Sequence, residues 1–276
     1  MNLNPVIWRF IITLWLGLQS FVAVAANSFP ADAEKNLPAI ALIIDDLGNQ
    51  RHLGMRAVML PGPVACAFLP YGPFTNALAR QAHGYHKEVM LHLPMQAVDH
   101  EDRRVEKGTL TLEMTEQQFL EATAHEIAAV PHVSGLNNHM GSLLTRHPGN
   151  MAWLMQAINK HGGLFFVDSR TTTATVARQL AVEYGVPNSS RNVFLDNDPD
   201  PVAVRAQFRK LVAIAKRDGT ALGIGHPLTG TLNVLTEELA NLHRQGVQLL
   251  PVSRLIAQQN EQQNKPRVAW QGSLSR

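Results

Sequence analysis

Cysteine is all but missing from this chain. Cys66 is the only one among 276 residues, which excludes an internal disulfide framework and a cysteine-rich zinc site. It lies in the apolar run "VACAFL" and reads as a small buried hydrophobe. Aromatic residues are scarce at 6%, too few for a surface of base-stacking rings. An excess of one charge is missing too: 24 Lys and Arg stand against 22 Asp and Glu, a net +2. Neither nucleic acid nor an anionic membrane surface is an expected partner. Beyond the N-terminus no apolar run is long enough to span a bilayer, so no integral membrane segment is expected there.

The composition that remains is 45% hydrophobic and 17% charged, enough to build one sizeable core, two at most. Twelve histidines are many for this length. The chain opens with Arg9, an apolar stretch from Phe10 interrupted by Gln19, and the small residues Ala23-Val24-Ala25. That is the pattern of a secretory signal, with cleavage after Ala25. The expected organisation is a signal peptide over 1–25, a polar leader over 26–37, one domain over 38–256 and a Gln- and Asn-rich disordered tail over 257–276. The mature protein is expected to be periplasmic or secreted.

Strand-length apolar runs recur at "AIALIIDD", "VACAFLPYG", "EVMLHLPM", "VSGLNNHMG", "GLFFVDSR", "NVFLDN", "TALGIGHP" and "VQLLPVSRL". Several are apolar on both faces, as parallel strands buried between layers are. Helical patterns separate most of them. "TEQQFLEATAHEIAAV" carries Thr115 as an expected N-cap, and "DPDPVAVRAQFRKLVAIAKRDGT" runs from acids to bases in accord with the helix dipole. This alternation predicts an α/β protein with a parallel sheet. A closed barrel and an open doubly wound sheet both accommodate it.

Polar residues fall at the ends of successive strands: Asp45 and Asp46, then Tyr71, His92, Asn137 to His139, Asp168, Asp196 and His226. In a parallel barrel these ends share one face, where active sites are built. Each residue alone has an ordinary explanation as a cap or a packed side chain; a recurrence in consecutive units points to a site. Asp and His without Cys suit zinc or another divalent first-row metal. His52, His83, His125 and His243 fall on helices or loops and read as surface or packing residues.

"LIIDD" resembles the opening Thr-Phe-Asp-Asp motif of NodB-type polysaccharide deacetylases, and the core resembles their divergent polysaccharide deacetylase family. The resemblance implies a distorted NodB-like (β/α)7-8 barrel of parallel strands, with Asp45 as catalytic base and Asp46 as metal ligand. The family's Glu-Ile-Gly-Asn-His-Ser/Thr-x-x-His motif is matched in "EVMLHLPMQ" at Glu88 and His92, while Gln96 stands where a second histidine ligand is usual. The Arg-Pro-Pro-Tyr motif has no counterpart; "LNNHMGS" stands near its place, and His139 is the candidate third ligand. "GIGH" loosely matches the closing Leu-x-His motif, making His226 the general acid, oriented by Asp168 or Asp196. The implied cofactor is zinc or another divalent ion, and the implied substrate an N-acetylated envelope polysaccharide or peptidoglycan. The segment 96–114 is expected to wall the cleft. Two other readings stay open: a catalytically degenerate glycan-binding or scaffolding protein, and a metal-dependent hydrolase of another bond.

Overall fold

A strand buried on both faces needs apolar side chains at every position, and β1 (Ala39–Leu47) supplies them as far as Ile44. The computed structural model describes residues 37–98 and 106–264. After β1 come α1 (Arg51–Val58), β2 (Ala65–Phe68), α2 (Thr75–Gly84), β3 (Val89–Met95), α3 (Glu116–Ala129) and β4 (Val133–Met140). Then follow α4 (Pro148–His161), β5 (Phe165–Asp168), α5 (Ala177–Glu183), β6 (Asn188–Ser190) and β7 (Val193–Phe194). The described part closes with α6 (Pro201–Asp218), β8 (Thr220–Gly225), α7 (Thr229–Ala240), β9 (Gln248–Leu249) and α8 (Val252–Asn264). Thr115 caps α3 as expected: its hydroxyl accepts from Gln118 N, and the Gln118 side chain returns a bond to Thr115 N.

The paired strands are parallel, in the order β6-β5-β4-β3-β2-β1-β8-β7, with β9 also beside β1. The two ends of that order are consecutive in the chain. β6 lies on β5, β7 lies on β8, and between them Arg191 N donates to Asp168 O and Asn192 N to Leu222 O. One short stretch therefore touches both margins and curls the sheet, which decides for a distorted NodB-like (β/α) barrel over a flat doubly wound sheet. β6 escapes a search for apolar runs because it reads Asn-Ser-Ser; its neighbours set its conformation.

Period two divides β1 between two cores. Ala41 and Ile43 point into the barrel with Ala65, Met90, Leu222 and Ile224. Ile40, Leu42 and Ile44 point outward against the helices, in one cluster with Leu78, Phe119, Leu154, Phe208 and Leu235. Each large aliphatic side chain so buried contributes about 1.5–3 kcal/mol. The interior cluster also takes in Val252, Leu255 and Ile256 of α8. This helix covers the N-terminal end of the barrel. Glu88, just before β3, accepts from Val252 N at 2.6 Å and Ser253 N at 3.2 Å, so its carboxylate caps α8 where the helix dipole favours negative charge.

That helix corrects the expected tail. Residues 257–264 are helical because the apolar side of α8 fills the barrel floor. The polar side is engaged as well: Gln259 accepts from Ser189 Oγ at 2.9 Å and donates to Thr220 Oγ1 at 3.1 Å. The proposed signal peptide, all of the leader but Leu37, and residues 265–276 lie outside the described residues. Among those described, no helix is long and apolar enough to cross a membrane.

Candidate active site

Neighbouring residues of a strand point to opposite faces, so Asp45 and Asp46 should diverge. They do not, because the ladder is interrupted between Ile44 and Leu47 and Asp46 sits at φ 55. Aspartate tolerates this left-handed conformation better than most residues. The result is a buried Asp45 followed by a half-exposed Asp46, both facing the C-terminal mouth of the barrel.

β3 and β4 bring two histidines to Asp46. His92 is paired in register with Asn137, and His139 lies two residues further along β4 on the same face. Asp46 Oδ1 is 3.2 Å from His92 Nε2 and 3.0 Å from His139 Nδ1, and the two ring nitrogens are 3.1 Å apart. Three donor atoms thus form a near-equilateral triangle. Asp46 Oδ1 is itself buried and has no aligned hydrogen bond among the described residues. An orphaned carboxylate oxygen facing two imidazole nitrogens is the donor set a divalent first-row cation takes, and Asp46, His92 and His139 fit one. Burial alone would raise the Asp46 carboxyl, but the two imidazoles outweigh it and hold it far below the ordinary range. His92 behaves inversely: burial would lower it, and Asp45 and Asp46 hold it up at about 9.

Asn137 belongs to the polar strand-end residues noted in the sequence, without a task of its own there, and it has a central place here. It is fully buried; its Oδ1 accepts from His92 Nδ1 at 2.9 Å and its Nδ2 donates to Asp45 Oδ1 at 2.7 Å. The first bond puts the ring proton on Nδ1 and turns the Nε2 lone pair toward Asp46 and His139, the outer-shell function expected behind a metal-binding histidine. The second fixes the neighbouring carboxylate. Burial pushes Asp45 above its ordinary pKa, though His92, His226 and Asn137 oppose the shift.

On the other side of Asp46, His226 Nε2 stands 3.8 Å from Asp46 Oδ2. Its Nδ1 meets Asp196 Oδ1 at 3.0 Å, while Asp196 Oδ2 accepts from His226 N and Thr231 Oγ1. Burial would lower the His226 imidazole; Asp196, with Asp45 and Asp46, raises it instead. Of the two carboxylates considered for orienting His226, Asp196 has the contact. Asp168 does not: its Oδ1 accepts from Arg170 N at 2.8 Å and its Oδ2 from Thr175 Oγ1 at 3.0 Å. It holds the turn after β5.

Gln96 takes no part in the triad. Its side chain accepts from Leu112 N at 2.8 Å, and its backbone bonds Leu110, Leu143 and Leu144. It anchors the segment between β3 and α3, of which residues 99–105 lie outside the described part. From that segment Glu106 Oε2 comes within 3.6 Å of His139 Nε2, and Lys107 covers the Tyr71 ring. A cavity of about 530 Å³ opens beside the triad, with Asp45, Ser169, Arg191 and Phe194 in its lining; a second, of about 320 Å³, lies between Asp46, Leu53 and Leu228. Asp46 and His226 line both, so the two form a groove across the mouth.

Fold and site together define a NodB-like (β/α) barrel with an Asp-His-His candidate metal centre at its mouth. A family model described as divergent polysaccharide deacetylase matches residues 42–256, and the chain belongs to that family. It is 34% identical over 223 residues to the uncharacterized protein YibQ of Escherichia coli, covering 81% of this chain and 68% of that one. It is 34% identical over 217 residues to an uncharacterized protein of Haemophilus influenzae, covering 78% and 76%. Among solved structures it is similar to an uncharacterized protein of Agrobacterium tumefaciens, with TM-score 0.75, 19% identity, and 82% and 97% coverage. It is also similar to the peptidoglycan deacetylase PdaC of Bacillus subtilis, with TM-score 0.51, 12% identity, and 83% and 95% coverage. At these identities the two likenesses show the fold.

Proposed function

We propose that the protein is an exported metal-dependent deacetylase that removes N-acetyl groups from an envelope polysaccharide or peptidoglycan. The observation that carries this reading is the placement of a buried carboxylate, Asp45, and a carboxylate-backed imidazole, His226, around one Asp-His-His triangle at one cleft. A divalent ion, zinc by preference, held by Asp46, His92 and His139 would supply Lewis acidity and a lowered pKa for water. Asp45 is the general base: burial raises its proton affinity toward the range where a base works well, and Asn137 keeps Oδ1 engaged so that Oδ2 takes the proton. His226 is the general acid. Its Nδ1 is committed to Asp196, which leaves Nε2 to deliver a proton to the departing amine.

Acetate release from N-acetylated glycans tests the reading, with metal content measured alongside. Wild type should release acetate, and Asp45→Asn should keep its metal while losing activity about 10²–10⁴-fold. No release by metal-loaded wild type from any glycan tried would turn the reading to a catalytically degenerate glycan-binding protein. Export is tested separately: protein recovered from the envelope should begin at or within two residues of Ala26, by intact mass.

A further inference from the structure

One wall of the cleft carries a cation that makes no salt bridge among the described residues. Arg191 is half-buried on the stretch that joins the sheet margins. Its Nε donates to Ser169 O at 2.6 Å and one Nη2 proton to Arg170 O at 2.9 Å, while the guanidinium lies 4.9 Å over the Phe194 ring. Two backbone carbonyls and a ring thus fix the plane of the fork. The edge between the two terminal nitrogens is left for another partner. Among the described residues no carboxylate comes within salt-bridge distance of Arg191: burial and the neighbouring Arg170 disfavour its charge, and Asp45 and Asp168 favour it only from further away, each committed to other partners.

Two further features aim at the same space. Ser169, 6% exposed, lines the cavity, and its Oγ is buried without a hydrogen-bond partner among the described residues. Arg170 is exposed and sits at φ 50, a conformation that costs a non-glycine residue about 1–2 kcal/mol. The turn is held there from three sides. Asp168 Oδ1 takes Arg170 N, Asn138 Oδ1 takes Ser169 N, and Thr171 Oγ1 donates to Met140 O. The turn pinned this firmly sets Ser169 and Arg170 beside Arg191 of the neighbouring stretch, in the lining of the cleft that contains the triad.

We propose that Ser169, Arg170 and Arg191 form a carboxylate-binding subsite beside the triad, so that the preferred glycan is acidic, with a carboxylate on or next to the acylated sugar. A planar carboxylate matches the free edge of a fixed guanidinium with two parallel hydrogen bonds. The Ser169 hydroxyl supplies a third donor, and Arg170 adds charge from the rim. A lactyl ether and a uronate both offer this chemistry. The inference rests on the glycan reading above and names its substrate class. Asp168 becomes a positioning residue for this subsite.

Titration calorimetry tests it without requiring turnover. The probes are peptide-free glycan strands bearing lactyl carboxylates, the same strands methyl-esterified, an N-acetylated uronate oligosaccharide with its ester, and a neutral chitooligosaccharide. Wild type should bind at least one acid form roughly tenfold or more tighter than its ester, the usual weight of a charge-assisted pair. Which acid is preferred identifies the source. Arg170→Gln, an exposed change, and Arg191→Gln should each reduce the preference, and Ser169→Ala should reduce it less. Equal affinity for acid and ester, no binding of either acid at millimolar concentration, or a preference that survives both arginine changes would overturn the subsite. Acetate release is followed on the same probes. Preference without release would refute the deacetylase reading and leave the subsite standing; release without preference would do the reverse.

Discussion

Replacing Asn137 by aspartate changes one NH₂ to oxygen in a fully buried place. The bond from His92 survives, because a carboxylate oxygen accepts from Nδ1 as well as an amide oxygen does. The bond to Asp45 inverts. At 2.7 Å an N–H···O contact becomes an approach of two carboxylates. Two like charges even 4 Å apart repel by about 4 kcal/mol at an effective dielectric near 20, which amounts to about three pKa units. The pair must therefore hold one proton between its carboxyls through the neutral range. The carboxylate that remains is stabilised by the shared proton and takes a second one only at low pH, so it is a poor base and turnover should fall about 10²–10⁴-fold. Metal content should stay near wild type, since His92 and its lone pair keep their orientation. The assay pairs acetate release with metal analysis of the same preparation, and near-native thermal unfolding confirms the fold. Wild-type turnover in Asn137→Asp, or loss of metal equal to that of His92→Ala, would falsify the bridging role.

Three more outcomes follow from the same geometry. Because Asp45 and Asp46 hold His92 at about 9, metal must displace its proton below that pH; affinity should rise roughly tenfold per pH unit from about 7 toward 9 and then flatten, and pH-independent affinity would refute this. Asp46→Ala, His92→Ala and His139→Ala should each empty the site, whereas Gln96→Ala should keep the ion and lose stability by about 1–3 kcal/mol for the stranded Leu112 N–H, read by chemical denaturation. Asp196→Asn should remove the main group that raises His226, moving the alkaline limb of the pH–rate profile to lower pH, while Asp168→Asn should leave that limb in place; equal shifts in both would show that the carboxylate at His226 has been misassigned.

The strand ends were legible because a buried parallel strand leaves little doubt where its apolar run stops, and Asp45 and His226 stand at such stops, while His92 is a lone polar residue inside the apolar run of β3 and His139 lies next to the last residue of β4. The orientation of Asp46 was not legible. It depends on a backbone torsion and a ladder irregularity that no pattern of residue types encodes. Gln96 in the family's histidine position looked like a missing ligand; the second imidazole nitrogen of the triad comes instead from β4, and only the β3–β4 register puts it there. Choosing between Asp168 and Asp196 had the same obstacle, since both end strands next to the site and only the packing of Thr231 and His226 against Asp196 separates them. Asn137 left a faint signal, a polar pair just before a histidine in an otherwise apolar strand. Glu88 matched a family motif and proves to cap α8, at the opposite end of the barrel from the chemistry.

β1 carries the acidic pair near the start of the domain, yet its neighbours on one side are β8 and β9, which come at the very end. During synthesis this strand must wait for nearly the whole chain before its second margin is covered. His226 and the floor helix arrive just as late. A nascent or truncated chain ending before β8 would hold Asp46 on an unfinished sheet edge, without His226 beside it and without the helix beneath it. The candidate centre is thus completed last although Asp46 is made first, and on the proposed metal reading a chain truncated before β8 should retain an ion less well than the full chain.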